Sequence, residues 1–243
     1  MDEATETERL NQTLIYDFFI SYELTEKNWN SQALLNYAPQ IHVGQAKQIT
    51  VDSEIVGQEE YITYKFNEQG NLMQIIYQVD RGGNDFSRYY YDLYYQDGRL
   101  SYIYIGDKRK IEFTYSELNR LTAITRNKNE AIFEYHFEYQ PGQHRADIKL
   151  EVIKDGEKRA SSRPYFVEWD DELRLRAFSI DTYQTHDIVY SEQGTPVAMQ
   201  FDATKQSDVD LSWEYIYDDK GNWIEKTFKE NWYKREIQYI TRE

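Results

Sequence analysis

A polar turn with an aromatic residue before it and an apolar residue after it recurs along this chain, and that recurrence constrains the fold more than any other feature. The clearest copy runs Tyr215-Ile216-Tyr217-Asp218-Asp219-Lys220-Gly221-Asn222-Trp223, and a close second is Tyr64-Lys65-Phe66-Asn67-Glu68-Gln69-Gly70-Asn71-Leu72. Related turns stand at Gln96-Asp97-Gly98, Ser116-Glu117-Leu118-Asn119, Gln140-Pro141-Gly142, Asp170-Asp171-Glu172 and Ser191-Glu192-Gln193-Gly194. A turn signal returning every ~20–30 residues marks a stack of repeated supersecondary units. Such an interval holds two strands of ordinary length and a return loop, so each unit reads as a hairpin and the series as an antiparallel meander.

Between the turns the apolar pattern has a period of two. Phe133, Tyr135, Phe137 and Tyr139 take one face, Ile132, Glu134, His136 and Glu138 the other. Ile111, Phe113 and Tyr115, and again Trp213, Tyr215 and Tyr217, repeat it. One apolar and one polar face predict a sheet with one side in water. Ahead of the strands, Leu10, Leu14, Phe18 and Tyr22 recur every four residues with Ile15 and Phe19 beside them, which predicts an amphipathic helix. Thr5 and Glu8 have capping-box spacing at its start, and residues 31–37 read as a second short helix stopping before Pro39.

The expected fold is mainly β: an antiparallel meander of hairpins forming a curved, twisted sheet, with the N-terminal helix packed against it. Length alone allows one large β domain or two small ones in 243 residues. No linker divides the array, so one elongated domain is expected, with residues 1–40 as its helical segment, 41–243 as the hairpin array, and a bend within 147–164. Each hairpin alone is marginal and needs its neighbours to bury its apolar face.

Composition narrows the function classes. The net charge of −15 repels phosphate backbones, which argues against nucleic acid, and it suits a basic partner. Without cysteine there are no disulfides, thiolate metal ligands or thiol nucleophiles. No apolar run is long enough to span a membrane. The acidic start Met1-Asp2-Glu3-Ala4-Thr5-Glu6 lacks the basic and apolar regions of a signal peptide. The expected compartment is the cytoplasm if Met1 is native, and the periplasm or cell surface if Met1 stands in place of a removed export signal. Tyrosine outnumbers phenylalanine 23 to 11, which suits a thin sheet whose rings pack while their hydroxyls stay wet.

The phrase Tyr217-Asp218-Asp219-Lys220-Gly221-Asn222-Trp223 resembles the YD repeat of the RHS/YD-repeat family, whose core reads Tyr-Asp-x-x-Gly-Arg/Asn-apolar. Phe66 to Leu72 and Tyr95 to Leu100 are looser copies, and Tyr115 to Leu121, Trp169 to Leu175 and Tyr190 to Val197 lose the Asp, the Gly or both. The resemblance covers roughly residues 61–240. It implies hairpins joined into broad curved sheets in a small standalone protein, too short for the hollow shell that larger family members build around toxins.

Sites for chemistry are sparse. His42, His136, His144 and His186 are isolated in sequence, and no HExxH, P-loop, Gly-x-Ser-x-Gly or Gly-x-Gly-x-x-Gly pattern occurs. Asp170-Asp171 and Asp218-Asp219 have the residue type of a glycosidase pair, but they sit at turns, where Asp braces its own backbone. Neither they nor Asp208-Val209-Asp210 complete a calcium loop. No catalytic residue, metal or cofactor is therefore expected.

Aromatic density is what remains. Tyr89, Tyr90, Tyr91, Tyr94, Tyr95, Tyr102 and Tyr104 crowd one stretch, and Trp223, Phe228, Trp232 and Tyr233 another. Alternation sends Tyr89, Tyr91 and Tyr95 to one face and Tyr90 and Tyr94 to the other, so some rings face solvent or lie under the helix. Exposed Tyr and Trp anchor protein interfaces and stack on sugars, and otherwise stabilise sheets as cross-strand pairs. The favoured expectation is a non-enzymatic binding or scaffold protein presenting a Tyr-rich curved surface to a protein or glycan. The alternatives are an acidic immunity-type inhibitor of a basic toxin and, least favoured, a glycan hydrolase.

Overall fold

The computed structural model describes residues 3–28, 46–55, 58–82, 85–106, 109–180, 183–203, 206–228 and 231–240. The short helix expected at 31–37, His42 and the side chain of His186 lie outside the described residues.

Strand follows strand as the hairpin reading requires, and every pairing is antiparallel. β1 (Ala46–Ile55) pairs with β2 (Gln58–Phe66), and the ladder continues in order through β3 (Leu72–Asp80), β4 (Phe86–Gln96), β5 (Arg99–Ile105), β6 (Arg109–Tyr115), β7 (Leu121–Lys128), β8 (Ala131–Tyr139) and β9 (Arg145–Lys154). One edge of β9 is shared by the short β10 (Glu157–Ala160) and by β11 (Tyr165–Trp169). From β11 the ladder runs through β12 (Leu175–Ile180), β13 (Tyr183–Tyr190) and β14 (Pro196–Ala203) to β15 (Gln206–Ser212). β16 (Glu214–Tyr217) pairs with β17 (Trp223–Phe228), β17 with β18 (Asn231–Tyr239), and β18 with β1. Between β15 and β16 the continuity comes from the chain itself, where the Trp213 N–H bonds Val197 O at 2.8 Å.

The array curves, as expected from sequence, and its first and last strands pair. Strand twist accumulates over so many strands, and pairing β1 with β18 covers two edges that would otherwise lie open.

Turns starting at 67, 116, 170, 191 and 218 share one construction, whereas Asp97-Gly98 forms a two-residue hairpin turn and 140–145 a wider one. In 67–71 the Asn67 N–H bonds Asn71 O at 2.9 Å, the Gly70 N–H bonds Asn67 O at 3.0 Å, and Asn67 Oδ1 accepts the N–H groups of Gln69 and Asn71. Asp170 and Asp218 brace their turns identically, and Ser116 and Ser191 hold one such bond each. The fourth position has positive φ, filled by Gly70 (+84°) and Gly221 (+80°) where glycine is present, but by Leu173 (+62°) after Asp170. A leucine there is strained by about 1–2 kcal/mol. Its side chain is buried, and its carbonyl accepts the Thr13 hydroxyl at 2.6 Å.

Contrary to the expectation from composition, the hydroxyls of Tyr95, Tyr115, Tyr139 and Tyr190 are not left to water. Tyr95 donates to Leu72 O (2.9 Å), Tyr115 to Leu100 O (2.8 Å), Tyr139 to Leu121 O (2.7 Å) and Tyr190 to Leu175 O (2.6 Å). In each case the aromatic residue before one turn ties the apolar residue after the preceding turn, so successive hairpins are stitched by a bond that phenylalanine cannot make. Desolvation accordingly raises these phenols, Tyr95 to about 12.

Inside the curl lies the helix. α1 (Glu3–Gln12) passes without a break into a π-helical segment (Thr13–Ile20) and then α2 (Ser21–Asn28). It is already helical at Glu3, so Thr5 lies within the first turn rather than capping it. The four-residue spacing of Leu10, Leu14, Phe18 and Tyr22 fits the wider winding of the π segment better than a 3.6-residue turn. Burial goes nearly all round: Thr13, Leu14, Ile15, Phe18, Phe19 and Ile20 are buried. An element apolar on every side belongs in an interior, not on a surface. Its partners come from well-separated strands. The Tyr16 and Tyr95 hydroxyls meet at 2.7 Å, Phe19 packs edge-on against Phe113 and Tyr135, and Phe18 against Phe178. Asn11 accepts the Leu121 N–H and donates to Asn119 O.

One acid sits in this apolar segment. Burial pushes the Asp17 carboxyl up to about 7. An unfolded aspartate ionises near 3.9, so the folded chain holds an extra proton between about pH 4 and 7, and stability falls as pH rises through that window. Asp17→Asn removes this term. Denaturant titrations across pH 4–8 should show the variant gaining on the parent as pH rises and levelling off above about 7. Parallel profiles would mean that Asp17 is ionised in the native state.

Candidate functional site

The ladder register sorts the crowded tyrosines. Tyr91 is buried, and Tyr89 and Tyr95 face inward, Tyr89 stacked on Tyr77 and Tyr95 bonded to Tyr16. Tyr90, Tyr94 and Tyr104 face outward, at 39%, 42% and 39% exposure, with Tyr102 half-buried among them. Tyr94 lies directly across the β4–β5 ladder from Tyr102, and their rings stack at 4.7 Å with planes 19° apart. Tyr104, two residues along β5, stands edge-on to both, at 5.8 Å from Tyr94 and 5.4 Å from Tyr102. Strand geometry alone brings this about, because positions two apart share a face and opposite residues sit about 5 Å apart.

Polar groups surround the rings. The Lys110 ammonium lies 4.7 Å from the Tyr102 centroid and donates to Glu112 Oε1 at 2.7 Å, a bond that raises its pKa. Asp92, opposite Tyr104, accepts from Gln74 at 2.7 Å. Arg88 covers Tyr90 at 5.0 Å, and Ile76 lies opposite Tyr90 across the β3–β4 ladder. Arg88 stands two residues from Tyr90 on β4, but Lys110, Glu112 and Gln74 escaped the sequence reading because they join the tyrosines only through the pairing register. No spacing along one strand carries that information.

The C-terminal aromatic group divides differently. Trp223, Phe228 and Tyr233 are buried, so Trp223 and Tyr233 are removed from the set of rings that can meet a partner from solvent. Alternation along β18 turns Tyr233 to the core, and Trp223 reaches it at the register shift between β16 and β17. Trp232 alone stands on the outer side, its indole N–H donating to Glu54 at 3.2 Å. Four strand steps separate β18 from β4, about 19 Å across the sheet, so Trp232 is not part of the tyrosine cluster.

The acid pairs do not converge. Asp170 and Asp218 are occupied as turn braces, and Arg174 also pairs with Asp170 at 2.7 Å. Asp171 is fully exposed, 3.4 Å from His144, whose ring stacks on Trp169 in an open 560 Å³ recess. Among the described residues no helix is long and apolar enough to cross a membrane. The outward positions of β6 to β9 include Lys110, Glu112, Glu134, His136, Glu138, Lys149 and Glu151, the reverse of the apolar outer band that a lipid-facing barrel carries.

No family model and no curated protein matches the sequence. Among solved structures the chain is similar to a porin-like protein from Bacteroides uniformis ATCC 8492, with a TM-score of 0.52 and 14% identity over 79% of this chain and 98% of that one. At that identity the likeness is one of fold: a large antiparallel sheet that curls.

Proposed function

We propose that this is a non-enzymatic binding or scaffold protein whose outer β4–β5 surface, centred on Tyr94, Tyr102 and Tyr104, receives a protein or glycan. One observation carries the reading: three mutually packed rings, two exposed and one half-buried, lie on a sheet face that elsewhere bears mostly charged and polar side chains. Tyrosine supplies a large, rigid contact area with a hydrogen-bonding tip, the combination found at interface hot spots and under sugar rings. The rim of Lys110, Glu112, Asp92 and Gln74 can direct a ligand placed on the rings. The construction shared by the turns starting at 67, 116, 170, 191 and 218 supports the YD-type reading of the repeats, which belongs to the same proposal.

The test compares the parent with Tyr94→Ser/Tyr102→Ser/Tyr104→Ser, using a panel of immobilised glycans and proteins from the native organism. Loss of these cross-strand contacts costs the sheet about 1–2 kcal/mol, so the variant stays folded. A partner held by the parent and weakened at least about tenfold in the variant fits two or more lost hot-spot contacts. A partner held equally by both would place binding elsewhere on the molecule.

A further inference from the structure

Three donor atoms converge on the outer face of β8 and β9, away from the tyrosine cluster. Glu134 and His136 are two residues apart on β8 and so share a face, and Glu151 on β9 lies directly opposite Glu134 in the ladder. His136 Nε2 is 3.1 Å from Glu151 Oε2 and 3.6 Å from Glu134 Oε2, and all three ligand atoms lie within 4.8 Å of one another. In a tetrahedral zinc site with bonds of about 2.0–2.2 Å, neighbouring donors stand about 3.3–3.5 Å apart. The two measured separations bracket that edge.

We propose that Glu134, His136 and Glu151 form a divalent transition-metal site that takes Zn²⁺, with His136 bound through Nε2, one oxygen from each carboxylate, and water in the fourth position. The imidazole selects against Ca²⁺ and Mg²⁺, which take oxygen ligands. A second observation marks the place as a seat for positive charge. The Lys158 ammonium contacts both carboxylates, at 3.4 Å from Glu134 Oε2 and closer to Glu151 Oε2. An ammonium leaves the imidazole without a cation to ligate, whereas a divalent ion engages all three groups and doubles the charge. Lys158 sits on β10, all four of whose residues are exposed, so its side chain can leave toward water. The neighbouring strand adds no competing charge, since Thr125 and Ala123 stand opposite Glu134 and His136, and Lys149 is engaged by Glu138.

Calorimetric titration of the full chain with ZnCl₂ at pH 7.5 tests this. One equivalent should bind. His136→Ala and Glu151→Gln should each weaken it at least about tenfold, the loss expected for a disturbed coordination set. Lys158→Ala should tighten it about two- to fivefold, the worth of a released surface ion pair. All three sites are on the surface, so circular dichroism should be unchanged. Absence of binding to the parent, binding seen only after Lys158→Ala, or equal affinity in parent and His136→Ala would each overturn the proposal.

Discussion

Phe19→Ala will lower the unfolding free energy by about 3–5 kcal/mol, read from the urea midpoint at constant slope. The ring has no solvent exposure and lies 5.6 Å from Tyr135, 6.3 Å from Phe113 and 6.2 Å from Tyr22. Its contacts reach β6 and β8 while Phe18, one position earlier, reaches Phe178 on β12. Truncation therefore opens a void in the middle of the molecule, where strands on either side cannot collapse without distorting their ladders. Whole-domain stabilities are about 5–15 kcal/mol, so this single change removes a large share. A loss below about 1 kcal/mol would mean that the helix does not occupy the interior.

The second large effect comes from an ion pair. Arg126 on β7 donates to Glu23 on α2 at 2.6 Å, both side chains are 5% exposed, and the guanidinium lies over Tyr22, Phe133 and Tyr135. Arg126→Met leaves the Glu23 carboxylate buried without its cation and should cost about 3–5 kcal/mol. Glu23→Leu/Arg126→Met removes both charges and should recover most of that loss, because the pair's mutual attraction largely offsets the cost of drying it. Thermal melts of the two variants decide the matter. A double variant no better than the single would show that the charges serve the fold beyond neutralising each other.

Much of the sheet was legible in the chain. The positions of turns 67–71, 170–174 and 218–222 follow from an Asx residue and a glycine or its equivalent at fixed offsets, and the two-residue period placed Phe133 to Tyr139 on the correct faces. The curvature was expected, but the pairing of β1 with β18 was not legible, because no local signal joins Ala46 to Tyr239. The helix was underread for a related reason. Its stripe of Leu10, Leu14, Phe18 and Tyr22 looks one-sided until Thr13 and Ile20 are seen to be buried as well. Of the proposed site, alternation correctly separated Tyr90 and Tyr94 from Tyr89, Tyr91 and Tyr95. The partnership of Tyr94 with Tyr102, and of Glu134 with Glu151, required the register.

The β1–β18 ladder has a consequence for how the molecule comes into being. Residues some 190 positions apart must find each other, which belongs to the slow, high-contact-order end of folding behaviour. During synthesis β1 can pair with β2 at once, but its other edge waits for β18 until all the intervening strands have been made. Throughout that interval this open edge is a template for neighbouring nascent chains, so the vulnerable species in the life of this protein is the unfinished one.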